Sequence, residues 1–173
     1  MTRAKIGQAL PRKEDWRLIT GQGQFADDIH LPGAAYAAFV RSPHAHARLR
    51  SVNIDAAKAA EGVIGVLTGV DVAAAGINGL PCGWLITSTD GQPMKEPPHP
   101  ILAQGKVRYV GDHVAMVVAE TLEQAQNAAE MVQVNYQVLP AVVDIADAKS
   151  AKAAVHAEAA DNHCYKWAIG DRA

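Results

Sequence analysis

His44 and His46 stand two residues apart in RSPHAHARLR (residues 41–50), with Arg41, Arg48 and Arg50 around them. Alternate side chains of a strand share a face, so the pair could ligate one metal ion. Zinc or copper requires a third and usually a fourth donor. The nearby candidates are Asp27, Asp28 and His30, and no second histidine or cysteine cluster stands at ligand spacing. Histidines packed or hydrogen-bonded in a loop explain the pattern with fewer demands. The arginines are expected to pair with the domain's acids rather than to clamp a phosphate.

Residues 21–26, GQGQFA, match G-x-G-x-x-G/A. That fingerprint binds a pyrophosphate only where a strand precedes it and a helix opens behind it. Asp27 and Asp28 would set negative charge beside the phosphate, and Pro32–Gly33 would break the helix, so a turn is expected. Cys82 is isolated from Cys164, and a lone cysteine is more often a small buried apolar group than a nucleophile. Trp84, in the same stretch, suits a pocket wall or a docking contact as well as it suits a core. The chain contains no G-x-S-x-G, P-loop, HExxH or EF-hand pattern. No residue is therefore assigned a catalytic, cofactor-binding or metal-ligating role.

Composition narrows the class further. Sixteen Lys+Arg against eighteen Asp+Glu give a net charge of -2, which lacks the basic excess of a nucleic-acid binder. No apolar run approaches the roughly 20 residues of a membrane span. The start MTRAKIGQALPRKEDWR carries no apolar segment behind its charges and does not read as a secretory signal. Two distant cysteines fit a reducing compartment, so a cytoplasmic location is expected. Hydrophobic residues at 49% with aromatics at only 5% predict a packed interior of small side chains.

The elements that must position these residues can be read from pattern. AAYAAFV (34–40) is a short apolar run ended by Ser42–Pro43, and LRSVNID (49–55) suggests a strand. DAAKAAEG (55–62) predicts a helix with Asp55 at its N-cap and Gly62 past its end, then a strand in GVIGVLTG. Residues 76–105 hold Pro81, Pro93, Pro97, Pro98 and Pro100 and cannot form a regular helix; a loop this long is usually functional or packed on a partner. Val114–Ala119 is apolar on both faces, as in a buried central strand. Thr121 and Gln124 form a capping box ahead of Leu122, Ala125, Ala128 and Ala129 on one helical face, while Glu123 and Glu130 mark its solvated side. Val134, Tyr136 and Val138 then alternate with polar residues as in a half-buried strand. The result is a mixed α/β domain with a mixed sheet and a strand–helix–strand unit at about 107–138. Its crossover is compatible with a parallel or an antiparallel sheet.

Five stretches occur in order: PRKED…LITGQGQFADDIHLPG, RSPHAHA, DAAKAAEGVIGVLTGVD, VRYVGDHVAMVVAET…AQNAAEMVQVNYQVLPAV and IGD. Together they resemble the N-terminal part of the molybdopterin-binding large subunit of the xanthine dehydrogenase/aldehyde oxidase family, nearest to carbon monoxide dehydrogenase-like bacterial members. The resemblance implies an a/b hammerhead domain at 21–148, after an N-terminal extension (1–20) and before a linker (149–173) toward a molybdopterin-binding domain. It implies a structural part in a larger oxidoreductase that hydroxylates an aldehyde or N-heterocycle, or oxidises CO. Molybdopterin with molybdenum, 2Fe-2S clusters and FAD would belong to the assembled enzyme, not to this chain. The implied partners are the rest of the large subunit and iron–sulfur and flavin subunits, and the chain alone is expected to be inactive. Arg41, Ser42, His44, His46, Gly111 and Asp112 carry the family stretches in structural roles. Leu80, Pro81, Cys82 and Trp84 stand where relatives bring a loop toward the substrate funnel or an interface. The alternative is a stand-alone binding or scaffold module using the 76–105 loop.

Overall fold

The computed structural model describes residues 6–150 and 152–170. The chain forms two units, residues 1–34 and 35–173. The first five residues of the expected N-terminal extension, and residues 151 and 171–173 of the expected linker, lie outside the described residues.

In the first unit α1 (Asp15–Ile19) is anchored at its start by Asp15, whose carboxylate accepts from Arg12 N at 2.9 Å and from Arg12 Nε at 2.8 Å. A helix, not a strand, therefore precedes GQGQFA. Behind that segment stands one 3-10 turn, Ala26–Asp28, closed by Phe25 N donating to the Asp28 carboxylate at 2.9 Å. GQGQFA is a turn, as its acidic and proline neighbours predict.

In the second unit the strands are β1 (Tyr36–Arg41), β2 (Ala47–Asn53), β3 (Val63–Thr68), β4 (Lys106–Val107), β5 (His113–Ala119) and β6 (Gln133–Val138). The helices are α2 (Asp55–Lys58), α3 (Gly69–Ala74), α4 (Leu122–Glu130) and α5 (Ile145–Lys149). Two three-stranded sheets form, ordered β1-β5-β3 and β4-β2-β6, and every pairing is antiparallel. The one mixed sheet expected from the sequence is replaced by these two. The strand–helix–strand unit exists as β5–α4–β6, but α4 carries the chain from one sheet to the other.

β5 is the central strand of the first sheet, with Val114, Ala115, Val117 and Ala119 fully buried. Ala128 of α4 and Ala57 of α2 pack with Val66 and Val117 on one face of that sheet. Alanine on the helices lets their backbones approach the strands closely, and the largest fully buried side chains are only Val107, Val114 and Val117. Each such valine stabilises the fold by about 1.5–3 kcal/mol relative to exposure. Val114 also joins Ala47, Ala103 and Val107 in the core of the second sheet, so β5 ties the two sheets together.

Three local expectations change. Ile54, not Asp55, is the N-cap of α2, because Asn53 Oδ1 accepts from Asp55 N at 3.0 Å and draws Asp55 into the first turn. Val138 and Leu122 are exposed despite their periodicity, since each lies at the rim of its element. α3 has no counterpart among the elements expected from pattern; Thr68 Oγ1 and N both donate to the Asp71 carboxylate, at 2.6 and 2.7 Å, and start a helix within an apparent loop. The 76–105 segment is irregular as expected, with a single bridge between Thr87 and Pro93.

Candidate functional site

Arg41, Ser42, Gly111 and Asp112 meet where β1 ends beside the turn that enters β5. Ser42 N donates to Asp112 O and Gly111 N donates to Ser42 O, both at 2.8 Å, so the two stretches are locked reciprocally. Arg41 Nη1 donates to Gly111 O at 3.3 Å. Gly111 has φ +90°, a conformation costly for any residue with a Cβ. Ser42 Oγ accepts from His44 N at 3.0 Å and donates to His44 O at 2.9 Å, which shapes the bend into β2. Asp112 Oδ2 accepts from Arg108 N at 2.9 Å.

The histidines of this stretch lie in the bend between β1 and β2, not on a strand, and they diverge. His44 lies edge-on to Tyr136 with ring centroids 4.9 Å apart. His46 is 6% exposed and its Nδ1 lies 2.7 Å from Pro140 O, so Nδ1 carries the donated proton. Its Nε2 is buried without a partner. Asp28, one of the candidate extra ligands, is occupied within its own 3-10 turn. Among the described residues no group of three His, Cys, Asp or Glu is gathered for a metal. The two cysteines of the chain fall short of the four thiolates that ordinarily hold an iron–sulfur cluster.

Burial dominates the acid–base behaviour around the bend. It pushes the Tyr136 hydroxyl up, opposed by a hydrogen bond with Ser42. Burial also raises Tyr109, reinforced by the Asp112 charge. It lowers His113, whose ring stacks on Phe39 at 4.5 Å, and the Arg41 charge adds to that effect. These shifts are consequences of packing.

The four loop residues do not line one common cavity. Leu80 lines an apolar cavity of about 480 Å³ with Phe39, Leu67, Val72, Ile77 and Met116, over the face of the first sheet opposite Val66 and Val117. Leu80 N donates to His99 O at 2.8 Å, which straps the loop across the cavity. Pro81, Cys82 and Trp84 are exposed and lie outside that lining. Trp84 is 80% exposed, which removes core packing from its possible roles. Cys82 is likewise not the small buried group expected; its thiol is exposed and donates to Trp84 O at 3.3 Å, while its N–H donates to Glu96 at 3.0 Å.

A second cavity, about 310 Å³, brings Asp112 together with residues to which the sequence reading gave no site role. Lys106, Arg108, His99, His156 and Asp112 line it beside Pro97, Pro98 and Pro100. Lys106 and Arg108 flank the buried Val107, a period-two signal that places both on one side of the chain. Nothing local in the sequence links them to His156.

Residues 20–140 match the family described as aldehyde oxidase and xanthine dehydrogenase, a/b hammerhead domain. The chain is 35% identical over 180 residues to the carbon monoxide dehydrogenase large chain of Afipia carboxidovorans, covering 96% of this chain and 21% of that one. It is 36% identical over 144 residues to the nicotine 6-hydroxylase large subunit of Paenarthrobacter nicotinovorans, covering 83% of this chain and 17% of that one. Among solved structures, quinoline 2-oxidoreductase from Pseudomonas putida 86 superposes with a TM-score of 0.70 at 39% identity, covering 85% of this chain and 18% of that one. The chain thus spans about a fifth of the length of the relatives it matches.

Proposed function

The chain belongs to the aldehyde oxidase and xanthine dehydrogenase family, whose a/b hammerhead domain it carries, and from that premise we propose that it is the structural N-terminal domain of a molybdenum hydroxylase large subunit. The assembled enzyme hydroxylates an aldehyde or N-heterocycle with oxygen from water, or oxidises CO. Molybdopterin, 2Fe-2S clusters and FAD supply the redox chemistry there, and the protein around them supplies position and electrostatics. The partners are the remainder of the large subunit and the iron–sulfur and flavin subunits, in the cytoplasm.

The observation that carries this reading is the lock between 41–46 and 111–112. The family stretches spend their polar groups on each other: Ser42 on His44, Arg41 on Gly111 O, His46 on Pro140 O. Such mutual bonding supports a role for these residues in holding the fold. Relatives at 35% and 36% identity carry names with different substrates, CO and nicotine, which supports placing substrate choice outside this domain.

The exposed Trp84 and Leu85 favour a contact role for the loop, and the scaffold-module alternative uses the same surface. Co-expression with the remainder of a large subunit separates the two. The structural-domain reading expects co-elution with that remainder, and dye reduction with aldehyde or purine only in the assembled enzyme. Dye reduction by the chain alone, or failure to associate with the remainder, would overturn it.

A further inference from the structure

Arg108 Nε and His156 Nδ1 are both buried without a hydrogen-bond partner. They belong to side chains that line the same cavity of about 310 Å³, a volume at the small end of ligand sites. Among the described residues neither Arg108 nor Lys106 takes part in an ion pair. Arg108 also lines a neighbouring cavity, which shares Pro98 and Pro100 with this one. A guanidinium with a buried unpaired N–H is an uncommon state, because the desolvated donor retains its demand for an acceptor.

We propose that Arg108, Lys106 and His156 form a site for a small oxyanion, a phosphate or a carboxylate. Pro97, Pro98 and Pro100 also line the cavity and, having no N–H, bring no donor to it. Two fixed cations face one carboxylate, Asp112, and that carboxylate already accepts from Arg108 N. The balance favours an anion and repels a metal ion. A planar guanidinium matches two oxygens of a phosphate or carboxylate, and an imidazole N–H beside it supplies a further donor. His99, edge-on to Tyr109 at 6.4 Å, closes one side.

His156 supplies an independent readout. Burial holds its titration below the ordinary histidine range, and the Arg108 charge lowers it further. Glu158 opposes that shift, while His99 and His46 add to it slightly. An anion seated between Arg108 and His156 must therefore move the His156 titration to higher pH.

The anion site rests on side chains of this chain alone, so it stands or falls independently of the role in a molybdenum hydroxylase. The test titrates the full 173-residue chain with sodium phosphate and separately with sodium acetate, at constant ionic strength set by chloride. The readouts are thermal denaturation and the His156 ring resonances. The site predicts saturable binding of at least one anion, an upward shift of the His156 titration on binding, and at least tenfold weaker affinity in R108Q. K106Q, which removes a half-buried surface cation, keeps the test sharp if R108Q does not fold, and predicts severalfold weaker binding. Binding of phosphate without acetate identifies a free or ligand-borne phosphate as the source. Binding of acetate identifies a carboxylate, from a small acid or an acidic side chain. Failure of both anions to saturate, or equal affinities in wild type and K106Q, overturns the proposal.

Discussion

Asp112 joins two stretches of chain, one through its backbone and one through its side chain. It is 8% exposed, its backbone oxygen accepts from Ser42 N, and its carboxylate accepts from Arg108 N at 2.9 Å. Deleting the carboxylate strands a part-buried N–H, whereas an amide oxygen can still accept. Asp112→Ala should therefore cost about 2 kcal/mol, within the range of about 1–3 for an unsatisfied buried group. Asp112→Asn should cost roughly half of that or less. Urea denaturation of the three proteins measures both numbers. Equal losses would mean that the charge of Asp112, and not its acceptor geometry, holds the turn.

At the scale of elements, α4 is fixed at its start by side chains and along its length by what little space it has. Thr121 Oγ1 accepts from Gln124 N at 3.2 Å while Gln124 Oε1 accepts from Thr121 N at 3.1 Å. Thr121→Ala should lower stability by about 1 kcal/mol and Thr121→Ser should restore it. Ala128→Leu, which pushes extra carbons against Ala57, Val66 and Val117, should cost about 1–3 kcal/mol. Each kcal/mol reads as about 2–4 °C of melting temperature for a chain of this size. A neutral Ala128→Leu would show that the helix–sheet interface is loosely packed. This capping box, with the apolar run of β5 and the alternation at Val134 and Tyr136, was legible in the sequence because each signal is local. The division into two sheets was not, since it depends on pairings such as Val66 with Val117 and Ala47 with Val138, made across long stretches of chain. α3 is hard to read because its six residues are too few to show a period, although Thr68 and Asp71 form a recognisable cap. The bend at 42–46 was legible as a motif, but the partners of its histidines, Tyr136 and Pro140, came only from tertiary packing. The group of Lys106, Arg108 and His156 is joined by a cavity and by no sequence neighbourhood at all.

At the scale of the whole second unit, the irregular loop and the last described residues hold one another. Thr89 N donates to Lys166 O and Lys95 N to Cys164 O, both at 2.9 Å, and Lys166 N donates to Ser88 Oγ at 2.7 Å. The ion pair Lys95–Asp161 at 2.7 Å joins the same segments, but both side chains are substantially exposed, so it contributes little. The backbone bonds are the stronger link. The stretch that flanks the exposed Trp84 is thus positioned by residues 161–166, and the approach of the loop to any larger partner depends on that segment. Truncation after Ala160 should leave both sheets folded, because none of their strands pairs with the removed residues. It should speed hydrogen exchange at the Thr89 and Lys95 amides at least tenfold, and also at Val155, whose N–H is held by the Asn162 side chain at 3.0 Å. Asp161→Asn, which removes only the ion pair, should leave those rates within about twofold, in keeping with the roughly 0–1 kcal/mol worth of exposed pairs. Unchanged exchange at Thr89 and Lys95 after truncation would show that the loop holds its own shape, and that its position is independent of the chain's last segment.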